Sequence, residues 1–162
     1  MGNKQPIELF MPPHMLKAKV GGTGGTDIAA MKRAELAVEE LTCEFSGWIT
    51  DDVKKLMDAR TRYSQTPDEA SRAALLRAAH DIKGQAPTFH YPPIAHVAAT
   101  LSRLIDDLPP AIAIPLALVD AHVNAIQMIH KLAMQDANDK TAQALCAELD
   151  ARVNEVLKAH KK

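Results

Sequence analysis

The most regular stretch of this sequence lies at residues 92–110 and reads PPIAHVAATLSRLIDDLPP. Its larger apolar side chains recur every three or four residues, at Ile94, Val97, Ala98, Leu101, Leu104, Ile105 and Leu108. That spacing is typical of one face of an α-helix. Prolines suit the first turn of a helix but cannot continue one, so Pro92-Pro93 indicates its start and Pro109-Pro110 its end. The stretch predicts an amphipathic helix that must bury one face.

Helical spacing continues on both sides of this stretch, and nothing alternates with a period of two for long enough to predict a strand. The predicted helices cover residues 27–48, about 50–64, about 66–87, 92–108, about 112–135 and about 140–159. Gly47 and the cap-like Thr50-Asp51-Asp52 predict a break or bend between the first two helices. Thr66-Pro67-Asp68-Glu69 predicts a helix start, with Thr66 as the N-cap and Glu69 completing a capping box.

The pattern favours an all-α fold in one domain, since 162 residues can bury a core without disulfides or a structural metal. Short connections make neighbouring helices antiparallel, so we predict an up-and-down four-helix bundle with an additional N-terminal helix. Residues 1–26 contain Pro12-Pro13 and a glycine-rich run without periodicity, and we expect a flexible tail there. The bundle domain is predicted to span residues 27–162.

Composition excludes several classes of function. Nineteen basic and twenty acidic side chains give a net charge of −1, which removes the electrostatic argument for nucleic acid or an anionic membrane as partner. The longest mostly apolar run, residues 109–119, is too short to span a bilayer, so we expect a cytoplasmic protein. Cys43 and Cys146 lack the spacing of a metal or redox site and are interpreted as reduced structural thiols.

Histidine is the only residue type that suggests chemistry, and the chain has seven. None has the spacing of a di-iron or zinc site, so no metal site is predicted, and no nucleophile motif of a hydrolase is present. His80 differs in its setting, Ala79-His80-Asp81-Ile82-Lys83-Gly84. A helical wheel places one apolar face at Ser71, Leu75, Ala78, Ala79, Ile82 and Ala86. His80 lies about 140° from the centre of that face, so we expect it to point outward.

The surroundings of His80 on the wheel form a small or apolar patch with two cations, at Ala73, Leu76, Arg77, Lys83, Gly84 and Pro87. Glycine inside a helix costs about 1 kcal/mol relative to alanine, so Gly84 needs a reason. The missing Cβ clears space one turn from the imidazole, and the Lys83 ammonium could neutralise phosphoryl oxygens. The arrangement suits a phosphohistidine on a surface where another protein docks.

These residues resemble a known family. The segment LLRAAHDIKG at residues 75–84, followed by an amphipathic helix, resembles the histidine-containing phosphotransfer (HPt) domain, whose motif is H-x-x-K-G inside a four-helix bundle. It is similar in particular to alphaproteobacterial members that read H-D-[IL]-K-G followed by an aromatic residue, a glycine and Tyr-Pro. The specific match covers about residues 75–105, and the helical plan agrees over 27–160. His90 stands where such proteins commonly have glycine, ten residues after the histidine.

The resemblance implies a phosphoryl carrier between the receiver domains of response regulators or hybrid kinases, not an enzyme with an ATP site. His80 would accept the group from an aspartyl phosphate, Lys83 would offset its charge, and Gly84 would admit the receiver. It implies no cofactor in this chain, with Mg²⁺ on the receiver only, and we expect a monomer. The residues expected to contact the partner are Ala73, Leu76, Arg77, Gln85, Pro87 and His90.

Two alternatives compete with this interpretation. His80-Asp81-Ile82-Lys83 also resembles the H-[DE]-x-[KR] core of a sensor histidine kinase hairpin, but Gln85 replaces the proline expected five residues after the histidine. Only 82 residues follow His80, too few for an ATP-binding domain, so autokinase activity is not expected. The other alternative is a non-catalytic helical adaptor in which His80 merely decorates a docking face. The remaining histidines are interpreted as core or surface residues (His122, His130) and as tail or solvent residues (His14, His96, His160).

Overall fold

The computed structural model describes residues 28–161, without the side chains of residues 42–46. The predicted tail, residues 1–26, lies outside this part of the chain. The described residues form only helices, which confirms the all-α prediction. They are α1 (Ile28–Gln65), α2 (Glu69–Gln85), a 3₁₀ helix (Ala86–Phe89), α3 (Pro92–Asp107), α4 (Leu116–Lys131) and α5 (Lys140–His160).

The chain divides into two compact units, residues 1–40 and 41–162. In the first unit, residues 28–40 form the first turns of α1, and every one of them is exposed. The second unit holds the rest of α1 and all later helices, with a core of Leu, Ile, Val and Ala side chains.

The predicted break at Gly47 is wrong, because α1 is one continuous helix of 38 residues. A glycine lowers helix stability without ending the helix when the flanking residues continue it. The cap-like Asp52 serves another purpose and is almost fully buried, with 2% of its surface exposed. Its carboxylate accepts hydrogen bonds from Lys55 Nζ at 2.7 Å and from Gln85 Nε2 at 3.2 Å. The residue that was interpreted as a helix cap therefore links α1 to the end of α2.

The N-cap of helix α2 lies two residues later than predicted. It is Asp68, not Thr66, and Ser71 completes the capping box in place of Glu69. The Asp68 carboxylate accepts a hydrogen bond from the Ser71 backbone N–H at 2.7 Å, and Ser71 Oγ accepts one from the Asp68 N–H at 3.1 Å. The Ser71 hydroxyl also donates to the Thr66 carbonyl at 2.6 Å. A buried serine thus replaces the glutamate of the predicted box.

Helix α3 is the central element of the bundle and packs against α2, α4 and α5. Near the starts of α3 and α5, Cys146 Sγ lies 3.9 Å from the Pro93 carbonyl oxygen. One to two turns further on, Thr100 donates to Asp150 at 2.8 Å, so α3 and α5 run parallel, as an up-and-down order requires. The second half of α1 packs on the bundle, where Arg60 makes a bidentate ion pair with Asp120 at 2.8 and 2.9 Å.

The connection between α3 and α4 is bound by an arginine side chain of α2 that the sequence pattern does not identify. The Arg72 guanidinium on α2 donates hydrogen bonds to the carbonyls of Ile105 at 2.7 Å and Ile112 at 3.2 Å, and to that of Leu108. These carbonyls include the last of α3, which have no partner within the helix. Helix α4 begins at Leu116 and not near residue 112, and it ends at Lys131, four residues before the predicted 135.

Cys146 is a free, buried thiol, and burial raises its pKa, which keeps it protonated and unreactive. The side chain of Cys43 belongs to the group that the structure does not describe. Within residues 28–161, no helix is both long and apolar enough to cross a membrane.

Candidate functional site

The inward and outward faces of α2 are divided as the helical wheel predicts. The buried residues are Ser71, Leu75, Ala78, Ala79 and Ile82, with Ala86 buried in the following turn. His80 lies on the exposed side. The two faces differ because small and aliphatic residues at helical spacing pack one side of α2 against α3. The His80 imidazole on the other side is left in solvent.

The His80 imidazole has no hydrogen bond or ion pair with any residue that the structure describes. Lys83, one turn later, is exposed and equally unpaired among these residues. Gly84 is also exposed, and a Cβ added there would meet no heavy atom within 4 Å. Helix packing therefore does not require a glycine at this position. The site presents an accessible ring nitrogen, a cation one turn away and an open backbone beside them.

The residues expected to contact a partner surround this site, with one qualification. Ala73, Arg77 and Pro87 are exposed, and Leu76 is half-buried against the core. Gln85 is exposed as a residue, but its amide is committed to the buried Asp52 carboxylate. Its main visible task is therefore to fix the end of α2.

A pocket of about 370 Å³ opens between α2 and α3 beside Ala73 and Leu76. Its lining includes the buried side chains of Tyr63, Ile105 and Leu108. It lies one to two helical turns before His80, so the exposed face of α2 leads from the histidine to a depression lined by apolar and charged residues.

The turn after α2 carries the departure from the family pattern, His90. This residue adopts a left-handed conformation, with φ 60° and ψ 43°, and is exposed. Its backbone N–H donates to the Pro87 carbonyl at 3.1 Å, and the next N–H, of Tyr91, donates to Ala86 at 3.0 Å. Phe89 in the same turn stacks on Trp48 with ring centroids 4.8 Å apart. In this turn a histidine thus has a backbone conformation that glycine would adopt without strain.

Lys55 and Asp52 form a charged pair beside α2 that the sequence analysis also missed. The hydrogen bond and charge of Asp52 raise the pKa of Lys55, and Asp81, next to His80, contributes in the same direction. No sequence signal identified this pair, because Asp52 looks like a helix cap until its tertiary partner is known.

The other histidines of the second unit are engaged elsewhere. His96 Nε2 lies 2.7 Å from Asp150, whose pKa is lowered by His96 and Thr100 even though burial opposes the shift. Half of the His96 side chain is exposed, as expected for a solvent residue, and it forms an ion pair with Asp150 when it is protonated. His160 is exposed and bonded through Nδ1 to the Val156 carbonyl at 2.8 Å.

His122 and His130 belong to the interior of α4 and its edge. His122 is fully buried; its Nδ1 lies 2.7 Å from the Leu118 carbonyl, and its Nε2 has no hydrogen-bond partner in the structure. The ring of His130 is half-buried, 6.0 Å from that of Tyr91. Burial lowers the pKa of both imidazoles. Neither is placed to meet another protein as His80 is.

Within the described part of the chain, no group of three His, Cys, Asp or Glu side chains could hold a metal ion. No curated protein and no solved structure matches the sequence. The model of one protein family, described as the Hpt domain, matches residues 40–159, which is well over half of the chain. The match spans α2 to α5 almost entirely and includes His80; the alphaproteobacterial type stays a prediction. This chain therefore belongs to the Hpt domain family, which indicates a histidine phosphotransfer role in a phosphorelay.

Proposed function

We propose that this protein carries a phosphoryl group on His80 between the aspartates of receiver domains. The observation that carries the proposal is the exposed, unpaired His80 imidazole, flanked on one helix by the unpaired Lys83 and the open Gly84. Membership of the Hpt family supports it, since such a domain works through a histidine.

In the proposed reaction a ring nitrogen of His80 attacks the phosphorus of a receiver's aspartyl phosphate in line. The P–N bond forms as the P–O bond to the aspartate breaks, the carboxylate leaves, and the imidazole releases a proton to solvent. The reverse steps deliver the group to a second receiver.

The neighbours of His80 have distinct tasks in this scheme. The Lys83 ammonium reduces the negative charge on the phosphoryl oxygens during transfer. Gly84 leaves room for the receiver's active-site loops. Mg²⁺ is expected on the receiver, where the acidic residues that bind it reside, and no cofactor is proposed for this chain.

The proposed docking surface is the outward face of α2, with Ala73, Leu76 and Arg77 before His80 and Pro87 after it. The depression between α2 and α3 beside Leu76 offers a place for an apolar side chain of the receiver. We propose a monomer that binds receivers and not nucleic acid or membranes.

The decisive experiment is a peptide map after phosphotransfer. The protein is incubated with a radiolabelled, phosphorylated receiver domain, and acid-labile, alkali-stable label is located after trypsin digestion. Cleavage after Arg77 and Lys83 yields residues 78–83, whose single histidine is His80. Label in this peptide supports the proposal. Label in the peptides of residues 84–103, 104–131 or 159–161, which hold the other five histidines of the bundle, would assign the acceptor elsewhere.

The same experiment separates the carrier from its alternatives. A helical adaptor would bind the receiver without acquiring label. A kinase-related protein would acquire label from ATP in the absence of any receiver, whereas we expect no autophosphorylation of an Hpt-type phosphoryl carrier.

A further inference from the structure

Two residues other than glycine have a positive φ within the described chain, His90 at 60° and Ala133 at 50°. Side-chain-bearing L-residues rarely adopt this conformation, because the Cβ approaches the backbone. Non-glycine residues held there often mark functional sites. The two positions therefore invite comparison.

The turns around these residues are built alike. In each, the N–H of the following residue closes the turn by bonding a carbonyl five residues back, Tyr91 to Ala86 and Met134 to Ile129, both at 3.0 Å. Both following residues are buried, with 5% and 7% of their surface exposed. The backbone hydrogen bonds and the buried neighbour therefore require the same left-handed conformation at both positions, and glycine could adopt it at either one. Ala133 departs from glycine by one methyl group, but His90 adds an exposed imidazole.

His90 lies close enough to His80 along the chain for its imidazole to contact a protein that docks at His80. His80 lies five residues before the end of α2, which is about 8 Å along the helix axis. A standard protein interface covers about 800 Å² on each partner, a patch about 30 Å across. A receiver centred on His80 consequently reaches the turn that follows α2. The Phe89–Trp48 stack and the backbone hydrogen bonds hold this turn in place before docking.

We propose that His90 is a receiver-recognition residue, whose imidazole hydrogen-bonds a polar group at the edge of the receiver's active site. This inference rests on the proposed function. It adds a contact that strengthens receiver binding without touching the transferred phosphoryl group. The exposed His90 ring belongs to a turn that is already fixed by its backbone hydrogen bonds before the receiver docks.

The test compares His90→Gly with Ala133→Gly, since both remove strain from matching turns. The probe is a receiver domain that labels the wild-type protein after charging with acetyl phosphate. Its Kd, and the KM and kcat of transfer, are measured together with the Tm of each variant. We expect both variants to melt at or above the wild-type temperature. We expect Kd and KM to rise at least fivefold in His90→Gly with kcat unchanged, and neither constant to change in Ala133→Gly.

A third variant, His90→Asn, tolerates the left-handed conformation and keeps a hydrogen-bonding side chain, so it should recover part of the lost affinity. A Kd for His90→Gly within twofold of the wild type, while His80 is still labelled, overturns the inference and leaves the proposed function standing. An equal loss in Ala133→Gly also overturns it, because the effect would then come from the altered turn. Absence of label on the wild-type protein with every receiver would overturn both.

Discussion

The residues on the two sides of helix α2 differ in how much they contribute to the fold. On one side, His80, Lys83 and Gly84 make no contact that the fold needs. On the other, Ser71 caps the helix, and Arg72 holds the end of α3 through its carbonyls. The difference teaches that the residues of the proposed site and the residues that stabilise the fold are separate members of the same seventeen-residue helix. Substitutions should therefore affect activity or stability, one without the other.

The largest expected effect is the loss of all phosphoryl acceptance in His80→Gln. Stability should stay within about 0.5 kcal/mol of the wild type, because the residue is exposed and unpaired. The measurement is label transfer from a charged receiver, with circular dichroism to verify folding. His96→Gln is the matched control, because His96 is also a solvent-accessible histidine in a helix but lies on α3, away from the proposed site. Label retained in a folded His80→Gln protein would contradict the division of α2.

On the opposite side, Arg72→Ala should reduce the free energy of unfolding by about 2–3 kcal/mol, as expected when charge-assisted hydrogen bonds to several carbonyls are lost. Urea unfolding measures the change. Arg77→Ala, on the exposed face of the same helix, serves as control and should stay within about 0.5 kcal/mol. At temperatures where Arg72→Ala remains folded, His80 should still accept label. Equal stability of the two variants would show that Arg72 does not anchor the bundle.

A pH series extends the contrast to the buried histidines of α4. Burial lowers the pKa of His122 and His130 below the ordinary 6.5, so below that pH the unfolded chain binds protons that the folded chain does not. Stability should be constant above about pH 7 and fall as the pH drops below about 6.5. The slope is at most about 1.4 kcal/mol per pH unit for each group. Unfolding between pH 8 and 5 checks this, and His122→Phe should flatten the curve; an unchanged slope would contradict it.

The smallest effect is expected for Gly84→Ala, where stability and activity should change in opposite directions. Alanine should stabilise the helix by about 0.5–1 kcal/mol, because the added Cβ meets no atom within 4 Å. Transfer should slow, since the methyl group narrows the approach to His80. Gly47→Ala is a close control, because Gly47 is also helical with open space at its Cβ. We expect it to gain the same stability at an unchanged transfer rate; equal rates in both variants would remove the steric role of Gly84.

Local patterns in the sequence were enough for the parts of the molecule that depend on periodicity. The bounds of α3 and α5 and the buried stripe of α2 follow from apolar spacing, because a regular helix turns by a fixed angle at each residue. The H-x-x-K-G segment indicated the family for the same reason, since all its residues lie within two turns of one helix. The outward position of His80 could therefore be predicted without a structure.

Other features depend on residues that are distant in sequence, and local patterns predict them wrongly or not at all. Asp52 looks like a cap until Gln85, 33 positions later, binds it. Arg72 looks like one more surface cation until the carbonyls of residues 105–112 surround it. A local pattern predicts which residues a helix will bury, but the packing of the helices determines which side chains form hydrogen bonds with one another. The sequence by itself determined the helical periodicity and the outward face of α2 that carries His80, and only the tertiary structure decided where α1 continues, what closes α3 and how His90 is held.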